Sequence, residues 1–321
     1  MNNFSLIIPT HNRHHYLKRS MEYFKGLEAD VIYCDSSSEK YEGELYPNVS
    51  YLHLPNQNFA AKVLFALSQI ETNFIALCAD DDFIVIESLY NGLSFLNENK
   101  NYKTVVGKYI SFKDVFDGHY YPIYQELPND IDLGFERNAE VFFYNYYQIL
   151  WAMYDKEVLI KAFQIINDAK FHNDNFIELT IGACACYAGG IKFLKEIWGV
   201  REITTLEHWG NRHSPITTLQ IAKINGDYNK FQELVNVKTD TGYAEKVFNS
   251  YLSGQEKNSG LTVRSTIAKV IPKPLKNLIK NIFAQKAEPK NIVNQMNSEN
   301  LHSITSLLIR DGLNKHLYNG Q

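Results

Sequence analysis

Several features are scarce in this sequence, and each shortage narrows what the chain does. No run of about 18 or more apolar residues occurs, so no membrane-spanning helix is expected. The N-terminal MNNFSLIIPT shows no basic region and no cleavage site, so no signal peptide is expected and the cytoplasm is the expected compartment. Only four cysteines are present, Cys34, Cys78, Cys184 and Cys186, and none falls in a CxxC pair. That excludes a disulfide framework and leaves them as small buried hydrophobes. Cys184 and Cys186 lack the companion pair that a four-ligand structural zinc needs. Positive charge is not in excess: 32 Lys and Arg against 36 Asp and Glu give a net charge of −4, so nucleic acid is not an expected partner. With 45% hydrophobic and 21% charged residues in a chain of 321, disorder and collagen-like order are ruled out and a sizeable core is expected.

The first third alternates short apolar runs with helical patterns, the signature of a βαβ layered sheet covered on both faces. Strands are expected at Phe4–Ile8, Val31–Cys34, Tyr51–Leu54 and Phe74–Cys78, and helices at Tyr16–Phe24 and Ala60–Ile70. Polar residues cluster where these strands stop, at Asp35-Ser36-Ser37-Ser38 and Asp80-Asp81-Asp82. In open α/β sheets that edge is where small molecules bind. The middle is harder to parse, with a strand at Thr104–Phe112 and helices at Asp155–Asn167 and Phe176–Tyr187. Residues 214–258 look helical and polar, and a helical pattern returns through Leu301, Ile304, Leu307, Leu308 and Leu313.

Residues 262–290 stand apart. Arg264, Lys269, Lys273, Lys276, Lys280, Lys286 and Lys290 face only Glu288, so this segment carries +6 and the rest of the chain −10. An apolar stripe through Val263, Ile267, Val270, Ile271, Leu275, Leu278, Ile279, Ile282 and Phe283 runs beside the lysines, interrupted at Pro272 and Pro274. Two short amphipathic helices follow from that pattern. They either pack on their own domain or lie on anionic lipid, where each basic residue adds roughly 1 kcal/mol.

The strongest local signal is the acidic triple after Phe74-Ile75-Ala76-Leu77-Cys78. Three adjacent carboxylates repel one another and are costly to desolvate, so something cationic should hold them. A hard divalent ion is the simplest choice, because period-2 geometry puts Asp80 and Asp82 on the same side. The bland alternative is a solvated turn with Asp82 capping a helix.

The second signal is Ser5-Leu6-Ile7-Ile8-Pro9-Thr10-His11-Asn12-Arg13, a strand running into a polar loop and then a helix. A strand-Pro-Thr-x-Asn-Arg start, then Asp35 at the end of the next strand, then an acidic motif near position 80, together resemble the family 2 glycosyltransferases. The resemblance covers about the first 110 residues well and the next hundred loosely. It implies a GT-A type fold: an α/β, Rossmann-like mixed sheet with helices on both faces, followed by a helical C-terminal extension. The form Ala79-Asp80-Asp81-Asp82-Phe83 is similar to a bacterial subgroup of surface-polysaccharide transferases. The division implied is a GT-A domain over 1–213, with 1–110 binding the nucleotide-sugar and 111–213 on the acceptor side, and a helical region over 214–321.

Carried over residue by residue, the resemblance implies that Pro9, Thr10, His11 and Arg13 frame the nucleotide base and Asp35 bonds its edge. Asp80 then approaches the ribose, with Asp81 beside it, and Asp82, with Asp80, holds a Mn²⁺ or Mg²⁺ ion. Asn58 and Lys62 fall where the family carries Asn-x-Gly-x-x-x-x-Arg, although Phe59 replaces the glycine and Lys62 stands one position early. The bland reading of Lys62 is an exposed helix lysine. The catalytic base implied is Asp174 in His172-Asn173-Asp174-Asn175, with Glu178 one turn on as the alternative. His213 or His208 is the implied histidine ligand of the metal, and Trp151 sits where the family lines its acceptor pocket or, equally, packs in the core.

The function implied is a metal-dependent, inverting transfer of a sugar from a nucleotide-diphospho-sugar, UDP before CDP or GDP, to a surface glycan. The acceptor is free or lipid-linked glycan of a capsule, O-antigen or lipooligosaccharide. Residues 262–290 would hold the protein peripherally on the inner membrane, and a homodimer is compatible with the sequence. A nucleotidyltransferase would need a glycine-rich loop after the first strand, which Pro9-Thr10-His11-Asn12-Arg13 does not supply. Transfer of a phosphorylated polyol from a CDP donor stays open, as does a catalytically inactive nucleotide- or sugar-binding partner in a polysaccharide assembly complex.

Overall fold

The computed structural model of the protein describes residues 4–112, 120–122, 127–202, 226–259, 303–304 and 306–307. Its first strand, β1 (Phe4–Thr10), is buried along its whole length, which is why it reads as a continuous apolar run rather than an alternation. It lies between two parallel neighbours, β2 (Asp30–Asp35) and β4 (Phe74–Leu77), and β2 pairs in parallel with the edge strand β3 (Val49–His53). Helices α1 (His14–Phe24) and α2 (Phe59–Ser68) make the crossovers. This half matches the expected elements to within about two residues at each end.

Beyond β4 the sheet becomes mixed. A three-residue strand, β5 (Asp82–Ile84), leads into α3 (Ile86–Glu98), then β6 (Tyr102–Phe112), β7 (Tyr120–Pro122), α4 (Phe135–Tyr144), β8 (Met153–Asp155), α5 (Lys156–Ala169), α6 (Asn175–Ala188) and β9 (Gly190–Glu202). The order is β3-β2-β1-β4-β8-β6-β9-β5, with β7 added to the end of β6. β8 runs antiparallel to β4 and β6, while β9 runs parallel to β6 and antiparallel to β5. The pairing of β5 with β9 sets Asp82 opposite Arg201.

That pairing corrects one expectation. Asp82 begins a strand, and the N-cap of α3 is Val85, so helix capping does not account for the acidic triple. β6 and β9 shift register between Val106 and Tyr109, the kind of irregularity that bulges bring to a strand pair. Gly199 permits the close approach: a Cβ there would stand 2.4 Å from the Tyr109 ring.

Helices α2, α5 and α6 pack in a row, and α3 covers β6, β9 and β8. Two further helices, α7 (Asp227–Lys238) and α8 (Tyr243–Ser259), dock on this body, α7 against α5 and α6 and α8 against α4. Phe176, Phe231 and Phe248 knit α6 to both. Burying aromatics of this size is worth roughly 1.5–3 kcal/mol each. All four cysteines are buried and free, as expected. No helix among the described residues is long and apolar enough to cross a membrane. The basic segment 262–290 and both His208 and His213 lie outside the described residues.

Candidate active site

The acidic motif sits at the carboxyl end of β4, in the turn to β5. Its carboxylates are held by long cationic side chains. Arg13 donates from Nη1 to Asp80 at 2.8 Å and from Nη2 to Asp81 at 2.5 Å, while Thr10 donates its hydroxyl to Asp80 at 2.7 Å. Arg201 donates from Nε to Asp82 at 3.0 Å. Arg19, inside α1, stacks against Phe83 and donates to the Asp81 carbonyl at 3.0 Å. The counter-charge assigned to a metal from the sequence is thus supplied in this state by arginines. They do not fully compensate: burial pushes the Asp80 carboxyl up to about 6 against the pull of Arg13, and Asp82 up to about 7 against the pull of Arg201.

Asp35, at the end of β2, is fully buried and differently served. Its Oδ1 accepts from the Ser37 amide and hydroxyl, and its Oδ2 from the Tyr51 hydroxyl at 2.6 Å and His14 Nε2 at 2.9 Å. Burial works to raise this carboxyl, but the hydrogen bonds outweigh it and hold Asp35 below the usual carboxylate range. Pro9 lies within β1 opposite Cys34. His11 is exposed, its ring bonded to Ser36 and Asn12, and Asn12 takes φ +55, a left-handed conformation that asparagine tolerates. Around this loop stand Tyr41, Tyr51 and His53, with Tyr51 and His53 stacked at 6.4 Å.

Lys62 is only 4% exposed, which overturns the reading of an exposed helix lysine. Its ammonium donates to the Thr10 carbonyl at 2.5 Å and the Ser36 hydroxyl at 3.1 Å, tying α2 to the ends of β1 and β2. Burial lowers its pKa. Asn58 is the N-cap of α2, accepting from the Ala61 amide at 2.9 Å. Phe59, in place of the family's glycine, packs its ring edge-on against Trp151 and Phe163. Trp151 is half-buried, and its carbonyl accepts from Tyr109 and Trp198.

Asp174 occupies the N-cap position of α6 with no side-chain capping bond. The bond is supplied instead by Asn173, whose Oδ1 accepts from the Asn175 amide at 3.0 Å. The loop before it is pinned from outside: fully buried Asp227 accepts the His172 amide at 3.1 Å and the Asn173 amide at 3.0 Å. Glu178, one turn into α6, has both oxygens engaged, by the Tyr146 hydroxyl at 2.7 Å and Gln148 Nε2 at 2.6 Å.

With this geometry in view, the comparisons give a family likeness. The model of glycosyl transferase family 2 matches residues 5–162. That stretch is just under half of the chain, and over it the protein is of the family 2 type. Among solved structures, residues 1–349 of Staphylococcus aureus TarS in complex with UDP-GlcNAc are similar over 100% of this chain and 93% of that one, at 16% identity and a TM-score of 0.54. Another TarS structure matches 78% of this chain at 18% identity and a TM-score of 0.50, and this chain spans 43% of its length. At these identities the likeness shows a shared fold. No curated protein matches the chain.

Within the matched stretch the polar groups gather at the carboxyl ends of β1, β2 and β4. Four residues at the site were not singled out from the sequence: Arg19, Gln148, Arg201 and Asp227. Arg201 offered a faint signal, a charged residue in the otherwise apolar run Ile197-Trp198-Gly199-Val200, but its partner Asp82 stands 119 residues away. Among the described residues no group of three His, Cys, Asp or Glu side chains is arranged to hold a metal by itself.

Proposed function

We propose that the protein is an inverting glycosyltransferase that moves a sugar from a UDP-sugar donor, UDP-GlcNAc first, to a surface-glycan acceptor. The observation that carries this reading is the acidic motif itself: the buried carboxylates of Asp80 and Asp82 at the sheet's carboxyl edge, within the stretch that matches family 2, held among the described residues by Arg13, Arg201 and the Thr10 hydroxyl. The UDP-GlcNAc bound to TarS supports the choice of donor. The loops at Thr10–Arg13 and Asp35–Ser37, with the surrounding Tyr41, Tyr51 and His53, form the base side. Lys62 acts on that side by fixing the two strand ends rather than by reaching a phosphate.

The motif suits a divalent ion. Its oxygens are hard donors, and their raised protonation equilibria mark negative charge that more cation would stabilise. Mg²⁺-type sites take one or two carboxylates and complete themselves with substrate phosphates, so Asp82 with Asp80 would hold the ion together with the donor's diphosphate. Such an ion supplies Lewis-acid stabilisation of the departing diphosphate. Asp174 takes the proton from the attacking acceptor hydroxyl, a role that its position at the start of α6 suits. Glu178 is the second choice for that base, because the Tyr146 hydroxyl and the Gln148 amide already hold its carboxylate in place.

Residues 1–213 are the transferase domain in this reading, braced by α7 and α8, and the basic segment 262–290 would hold the enzyme on the inner membrane near a lipid-linked acceptor. The test is release of nucleotide diphosphate from UDP-, CDP- and GDP-sugars with Mn²⁺. Release from a UDP-sugar, abolished by Asp174→Asn when acceptor is present, is expected. No release from any nucleotide-sugar would overturn the reading.

A further inference from the structure

A line of polar contacts crosses the molecule from the acidic motif to α6, and nothing in the reaction as described uses it. Arg201 donates to Asp82 at 3.0 Å, and from Nη1 to Gln148 Oε1 at 3.2 Å. Gln148 donates from Nε2 to Glu178 at 2.6 Å, and Tyr146 closes the line on the other Glu178 oxygen at 2.7 Å. Tyr109 lies under the guanidinium, 5.1 Å from its centre. The members come from β5, β9, the α4–β8 loop and α6, so no local sequence rule explains the arrangement.

We infer that Glu178 and Gln148 are positioning residues that aim Arg201 at the acidic motif and so couple the helix bearing Asp174 to the donor's diphosphate site. The inference rests on the proposed transferase reading. Its physical core is the amide. A carboxylate accepts only and a guanidinium donates only, so a group between them must donate on one side and accept on the other. Among neutral side chains an amide does this, and only one of its two orientations works here. Glu178 therefore fixes the Gln148 orientation, Gln148 fixes the Arg201 fork, and the Tyr109 face blocks the fork from swinging. Arg201 thereby keeps its place when the motif takes a second cation, rather than leaving for solvent.

The experiment exchanges the two groups. Glu178→Gln leaves one acceptor oxygen where there were two, and Tyr146 and Gln148 compete for it, so the Gln148 orientation is no longer fixed and kcat falls about 10- to 100-fold, as it does for other outer-sphere groups. KM for the donor stays within about twofold, because no contact to the nucleotide is lost. The double variant Glu178→Gln with Gln148→Glu restores donor against acceptor at every step, with the same net charge, and recovers kcat to within about threefold of the parent. A double variant no better than the worse single, or a Glu178→Gln protein with unchanged kcat, would overturn the inference. Thermal unfolding gives a readout that needs no donor: the melting-temperature losses of Glu178→Gln and Arg201→Lys should fail to add with Gln148 present and should add in a Gln148→Leu background. Simple additivity in both backgrounds overturns the coupling even if every donor proves inert, whereas inertness of the parent alone sinks only the transferase reading.

Discussion

Asp35 and Asp82 are both buried carboxylates near the carboxyl edge of one sheet, yet they are held in opposite ways. Asp35 is surrounded by short, neutral or local donors: an amide and a hydroxyl two residues away, a tyrosine hydroxyl and a histidine. Its charge is satisfied, and its carboxyl sits below the usual range. Asp82 depends on one long arginine from a distant strand, and its carboxyl is pushed up to about 7. The contrast separates architecture from chemistry. Donors fixed to the backbone or to short side chains make a finished structural joint, whereas a guanidinium brought from a distant strand can share its carboxylate with an incoming ion.

Asp174 belongs to neither class, and its removal should have the largest effect. Asp174→Asn is expected to lower kcat by about 10²- to 10⁴-fold in a coupled assay of UDP release, while the melting temperature moves little because asparagine keeps the size of the side chain and suits an N-cap position as well as aspartate does. Asp82→Asn comes next, with kcat lower by roughly 10²-fold and unfolding free energy within about 1 kcal/mol of the parent, since the amide oxygen still accepts from Arg201. Asp35→Ala should invert that pattern. Stranding the two buried donors of Ser37 and the half-buried ones of Tyr51 and His14 is expected to cost about 2–4 kcal/mol in urea unfolding, a larger loss of fold than Asp82→Asn causes. If Asp82→Asn proves the less stable of the two, the contrast drawn above is broken.

The smallest effect is in pH. Because the folded-state pKa of Asp35 is depressed, its contribution to stability is present above the unfolded value of about 3.9 and is lost as pH falls through the lower folded value. Urea midpoints measured from pH 6 down to pH 2.5 should therefore show a steeper acid limb in the parent than in Asp35→Asn. Equal limbs would mean that the four donors do not favour the charged form.

The nucleotide half was legible because parallel strands buried on both faces read as unbroken apolar runs: β1, β2 and β4 and both crossover helices fall within about two residues of expectation. The short antiparallel strands were not, since the three residues of β5 or β8 show no period. Missing β5 left Asp82 poised between metal ligand and helix cap, and the strand pairing with β9 is what presents Arg201 to it. The helix position of Lys62 suggests a phosphate contact or an exposed lysine, whereas the ends of β1 and β2 close over it. Asp227 was invisible for a simpler reason: it pins a loop 55 residues upstream, and pairing over such separations leaves no local pattern. The acidic motif and the start of α6 were visible because charge clusters and helix starts are local signals.

The central claim is that the arginine-held motif takes the donor's diphosphate together with a divalent ion. It is tested most directly by melting temperatures of the parent and of Asp82→Asn with UDP alone, Mn²⁺ alone and both together. Ligand that binds only the folded state adds about 2.7 kcal/mol at a hundredfold excess over Kd. The account predicts a large rise in the parent only when UDP and Mn²⁺ are both present, and little or none of that rise in the variant. An equal rise with UDP alone, or an undiminished rise in Asp82→Asn, would contradict it.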